Sequence, residues 1–197
     1  MTNLERALKT ILEDAELAAS LAAVLDYAYK TDRISYNEVA KIVGDKCDET
    51  LLSGNRWRLL IPTKVDKSSA WEDRLLHCNP GESYVLPGVV RYLVQNASRT
   101  GRWDPMVAIA EIFKELGEEI FPQVPELVAE LWKQARNGQI SAVQIKKACI
   151  TADLGDKVDV LIAELKAAGV MSPKLGSLAE VTRLGSPLYE LNPSLFM

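Results

Sequence analysis

The side chains best suited to chemistry are four cations and two tryptophans in one short stretch. Arg56, Arg58, Lys64 and Lys67 fall within residues 52–71 against Asp66 alone, a local net of +3, with Trp57 and Trp71 interleaved. Two cations at a helix end and two in the following loop can neutralise adjacent phosphates of a nucleic-acid backbone. The competing assignment gives the arginines to the carbonyl end of their helix and the lysines to solvent. The tryptophans read as core residues under either assignment. No enzyme motif accompanies them: the sequence has no Walker glycine-lysine loop, no Gly-x-Ser-x-Gly elbow, no His-Glu-x-x-His and no Cys-x-x-Cys. His77 is the only histidine, so neither a triad nor a multi-histidine metal site can form within one chain. Cys47, Cys78 and Cys149 lie 31 and 71 residues apart, which suits buried thiols better than metal ligands or a disulfide framework. The expectation is a protein that is not an enzyme, with no cofactor and no metal.

Charge restricts where a nucleic acid could bind. The 197 residues carry a net charge of −4, from 13 basic and 14 acidic side chains in residues 1–100 and 10 and 13 in residues 101–197. Phosphate contacts supply most of the affinity for nucleic acids, so a DNA-binding face on this acidic chain has to be local. An apolar content of 48% is enough for packed cores, and no stretch is long and apolar enough to span a bilayer. The first residues lack a basic region followed by an apolar one, and the expected compartment is the cytoplasm, with no membrane contact.

The elements that would position these residues occur twice. Gly44-Asp45-Lys46-Cys47-Asp48 opens a stretch ending at Ile61-Pro62, and Gly155-Asp156-Lys157-Val158-Asp159 opens one ending at Ser172-Pro173, with Gly and Pro 18 positions apart in both. Upstream, Leu21, Ala23, Leu25, Ile34 and Ser35 match Leu127, Ala129, Leu131, Ile140 and Ser141; downstream, Tyr84 to Pro87 faces Tyr189 to Pro193. A unit of this size is a small domain rather than a solenoid repeat. Residues 1–100 form one such domain with a helical extension. Residues 101–197 hold a linking helix and the second domain, with the linker at Asn96 to Gly101.

Within each copy the pattern predicts three helices and two strands. Residues 4–30 are helical, with a break permitted near Asp14 by the capping-box pattern at Thr10 to Glu13. Ser35 with Glu38 forms a second capping box, Gly44 ends that helix, and a third helix covers 45–58, interrupted by Gly54. Strands are expected at 59–61 and at 75–77 or 83–86. In the second copy the third helix spans 156–168 and the closing strand is Leu188 to Leu191. Asp104-Pro105 caps a helix carrying Met106 to Leu116. The regular apolar spacing of 4–29, together with that helix, predicts a homodimer.

Three helices followed by two strands around a polar loop resembles a winged helix-turn-helix domain. The resemblance covers about 21–87 and about 126–193. It implies a mainly α fold with small β-wings (α+β): two winged-helix domains joined by extra helices, with 63–74 and 174–187 as wings. It also implies that 45–58 and 156–168 hold the position that DNA-binding members place in the major groove. The first of these helices carries Asp45, Asp48 and Glu49 at its front, which repel a phosphate backbone. The second, with Asp156, Asp159 and Glu164 beside short alanines, looks like a packing surface. The leading expectation is a DNA-binding protein, a transcriptional regulator, that contacts double-stranded DNA through Arg56, Arg58, Lys64 and Lys67. The alternative is an acidic tandem winged-helix scaffold that binds a protein partner through its second domain and does not touch DNA.

Overall fold

The computed structural model describes residues 1–65, 68, 70–117, 122–175 and 185–197. It is mainly helical, with two small three-stranded sheets, an α+β chain as expected. The first half runs α1 (Asn3–Lys9), α2 (Ala15–Thr31), β1 (Ile34–Ser35), α3 (Tyr36–Val43), α4 (Cys47–Arg56), β2 (Ile61–Pro62) and β3 (Ser83–Val85). Two connecting helices follow, α5 (Gly88–Thr100) and α6 (Pro105–Glu115). The second half repeats the order as α7 (Val124–Gln134), β4 (Gln139–Ser141), α8 (Ala142–Thr151), α9 (Val158–Ala167), β5 (Met171–Pro173) and β6 (Leu188–Leu191).

The local causes of these elements are legible. Asp14 starts α2 by accepting from the amides of Glu16 and Leu17, so the break in 4–30 is where the sequence permits it. Asp14 makes the cap, however, and not the Thr10 box; Thr10 closes α1. Ser35 and Glu38 form the expected reciprocal capping box, and Ser141 and Gln144 form its counterpart in the second half. Each box satisfies two amides that the helix itself leaves open, worth about 1 kcal/mol. A short 3-10 turn, Gly44–Lys46 or Gly155–Lys157, precedes α4 and α9 alike. Gly54, in the middle of α4, lets Leu60 pack closely on the helix: a Cβ there would lie 2.9 Å from Leu60 Cδ1.

Each sheet has one strand more than the sequence suggested. Ile34–Ser35 and Gln139–Ser141 are strands, giving the orders β1-β3-β2 and β4-β6-β5, all antiparallel. The registers coincide. Ile34 pairs with Tyr84 as Ile140 pairs with Tyr189, and Pro62 pairs with Tyr84 as Pro173 pairs with Tyr189. Both prolines sit on an edge strand, where the missing N–H is tolerated.

The stretch read as a linker is not one. Helix α5 continues through Asn96, which is buried, to Thr100, and Gly101 caps it. Helix α6 packs on α5 and α7, so the connecting helices extend the interior and a single hydrophobic core runs through both halves. The regular apolar positions of α1 and α2 belong to that core: Leu4, Leu8, Ala18, Ala22 and Leu25 are buried within the chain. On α6, Met106 and Val107 stay exposed, as does Leu116 just beyond its end.

The halves meet at equivalent places. Arg58 and Gly169 each stand fourteen residues after the paired glycines Gly44 and Gly155, and both have left-handed backbones, φ 53° and 74°. Pro87 and Asn192 each stand three residues after the paired tyrosines Tyr84 and Tyr189. These four positions gather at the seam. Asn192 Nδ2 donates to Gly169 O at 3.1 Å and to Arg58 O at 3.4 Å, while a Cβ on Gly169 would lie 2.6 Å from Pro87 Cβ. Beside them the Val89 amide donates to Ala168 O at 2.7 Å. Only glycine allows that approach at residue 169.

Candidate nucleic-acid interface

Helix α4 ends at Arg56, and the chain turns through the left-handed residue Arg58 into β2. That turn separates the two arginines. Arg56 is exposed, its guanidinium 5.8 Å from the centre of the Trp57 ring. Arg58 is carried to the other half of the molecule, where Nε donates to Glu190 Oε1 at 3.0 Å and Nη2 to Oε2 at 3.3 Å. Nη1 donates to Asn55 O at 3.3 Å, and the guanidinium lies 5.9 Å from the centre of the Trp71 ring. With its side chain 17% exposed and that of Glu190 22%, this pair is a partly buried, two-pronged ion pair. Lys64 is 72% exposed, with Glu82 Oε1 at 3.6 Å from its Nζ. Lys67 lies outside the described residues. Arg58 therefore faces a carboxylate where a phosphate contact was expected, while Arg56 and Lys64 are exposed.

The segment after β2 is committed as well. The Trp71 amide donates to Ser172 Oγ at 2.9 Å, and Trp71 is buried. Lys174 Nζ donates to Glu72 Oε2 at 2.9 Å, and the Leu175 amide donates to the same carboxylate. Arg74 Nη1 donates to Pro62 O at 3.2 Å. Residues 70–74 thus rest against β5 of the second half. Of the expected second wing, only 174–175 and 185–187 lie within the described residues.

The front of α4 is acidic and open to solvent: Asp45, Asp48 and Glu49 are exposed, as is Leu52. Asp48 accepts from Tyr36 O–H at 3.1 Å, and that bond, with burial second, pushes the tyrosine pKa up to about 12. Lys46 bonds Glu16. Behind the front, hydrogen bonds from Ser35 and from Tyr27 O–H (2.7 Å) hold Glu38 down to a pKa of about 2. Burial pushes all three thiols up, away from the thiolate form. Among the described residues no group of three or more His, Cys, Asp or Glu could hold a metal ion, and no helix is long and apolar enough to cross a membrane.

A protein-family model matches residues 3–197, across both halves and the connecting helices. The chain belongs to that family. No curated protein and no solved structure matches it. The match treats the two halves as one unit, as the shared core does.

Sequence reasoning missed Glu190 and Asn192, the residues that fix Arg58. One signal was present: the repeat sets Arg58 opposite Gly169, and an arginine where the other copy has a glycine marks a left-handed position. On the second half, two successive helices leave large apolar side chains outside. Val143 and Ile150 on α8 are 61% and 59% exposed, and Val160 on α9 is 53% exposed. Lys146 and Lys147 lie between the first two, and Asp153, Asp156 and Asp159 are exposed beyond them.

Proposed function

We propose that this chain is a pair of winged-helix units fused through one core, and that it works as a protein-interaction scaffold. The order helix, strand, two helices, then two strands, with the first strand paired to the last, supports the winged-helix reading of each half. The observation that carries the function is the engagement of Arg58 by Glu190. It withdraws the helix-exit arginine from any external phosphate and ties the first half to the second. The acidic front of α4 points the same way, since carboxylates at the reading position repel DNA. The exposed Val143, Ile150 and Val160 offer a partner protein an apolar contact, the kind of surface that marks interaction sites.

A second reading keeps DNA as the partner and rests on Arg56 and Lys64, which remain exposed. Two phosphate contacts would give a salt slope of roughly −1.8, at about −0.9 per neutralised phosphate. The test is fluorescence anisotropy of a labelled random duplex over a range of salt, together with a photo-crosslinking residue placed at Val160 in the native host. The scaffold reading expects no saturable duplex binding at physiological salt and a discrete protein adduct at position 160. Saturable binding with that slope, lost in Arg56→Ala/Lys64→Ala, would establish the DNA reading in its place.

A further inference from the structure

The seam between the halves contains a cavity of about 310 Å³, lined by Trp71 and Arg74 from the first half and by Lys166, Ala167, Met171, Ser172 and Pro173 from the second. Its volume is at the small end of the range for small-molecule sites. Two cations share it, Arg74 and Lys166, and among the described residues neither has a carboxylate partner. The Arg74 guanidinium is fixed at one end, where Nη1 donates to Pro62 O at 3.2 Å. Among the described residues its buried Nε has no acceptor, and a charged donor left without a partner is among the costlier features a fold carries.

We infer that this cavity binds a small organic anion: an oxyanion head, carboxylate or phosphate, between Arg74 and Lys166, and a compact apolar body against Met171, Pro173 and the edge of Trp71. With Nη1 anchored on Pro62 O and Nε closed to solvent, Nη2 is the guanidinium nitrogen left to meet a carboxylate or phosphate oxygen. Lys166 supplies a mobile point charge from the last turn of α9. Because the walls come from both halves, an occupied site braces the seam, and the ligand stabilises the whole fold by mass action. The inference stands apart from the choice of macromolecular partner, since none of these residues belongs to the exposed face of α4 or α8.

The test uses the full chain, labelled with 15N, titrated separately with phenyl phosphate, benzoate and inorganic phosphate at matched ionic strength. Phenyl phosphate or benzoate is expected to move the Trp71 indole N–H and the amides of 166–172, with a Kd that Lys166→Gln weakens by about tenfold. Lys166 is exposed, so this variant keeps the fold. The tighter of the two aromatic probes identifies the head group. Inorganic phosphate binding as tightly as phenyl phosphate would overturn the role given to the apolar wall. Shifts centred elsewhere, shifts indifferent to Lys166→Gln, or none at millimolar probe would overturn the site.

Discussion

Removing the Glu190 carboxylate tests the argument most directly, because it separates a seam ion pair from a surface ornament. In the folded chain Glu190 receives both Nε and Nη2 of Arg58, each side chain about four-fifths covered. Exposed pairs couple by about 0.2–1 kcal/mol, and breaking a fully buried one costs about 3–5 kcal/mol. A partly covered, two-pronged pair belongs between these limits, at about 1.5 kcal/mol. Glu190→Gln keeps the volume and removes the charge, so it should lower stability by that amount and Tm by about 3–6 °C for a chain of this size. A double-mutant cycle with Arg58→Met isolates the coupling from effects on either residue alone. The assay is urea unfolding followed at neutral pH by tryptophan fluorescence and by circular dichroism. Both probes should report a single transition in the parent chain, because the core is continuous. A coupling below about 0.5 kcal/mol would refute the claim that Arg58 belongs to the seam and would return it to the surface as a candidate phosphate contact.

Two further substitutions probe the fold around it. Gly169→Ala places a methyl 2.6 Å from Pro87 Cβ on a backbone at φ 74°, and should cost at least about 2 kcal/mol by urea midpoint, whereas Gly117→Ala, with nothing within 4 Å, carries only the backbone strain of about 1 kcal/mol. Glu38 has its pKa lowered to about 2 from 4.5, so its contribution is full above the unfolded value and is lost as pH falls through the folded one; Glu38→Gln should flatten the stability profile between pH 4.5 and 2, and a profile as steep as the parent's would show that the capping carboxylate is not its source.

What the sequence made legible was local. The Ser35 capping box, the shared Gly-to-Pro spacing and the duplicated order of elements all depend on neighbours along the chain, and the structure contains each of them. Strands β1 and β4 escaped because two or three residues cannot display an alternation. The misplaced linker has a similar cause. Asn96, Ser98 and Gly101 read as loop chemistry, but Asn96 is buried in a helix, where packing overrides propensity. The site was legible least of all. Arg58 and Glu190 are 132 residues apart, and nothing in the spacing of either announces the other. The cations could be found by composition, while their direction depended on how one half docks on its twin.

That docking has a consequence for symmetry. Arg58 meets Asn192 as its counterpart Gly169 meets Pro87, the counterpart of Asn192, so the two contacts are reciprocal. A contact of this kind is the isologous interface by which two separate copies of one unit would pair. In such a pair a single residue type would have to serve at both ends of the axis. No symmetric dimer could place arginine at one end and glycine at the other. Within one chain, with the halves joined through α5 and α6, that constraint does not apply. One end serves close backbone approach and the other an ion pair, an asymmetry that only a covalently joined pair can encode.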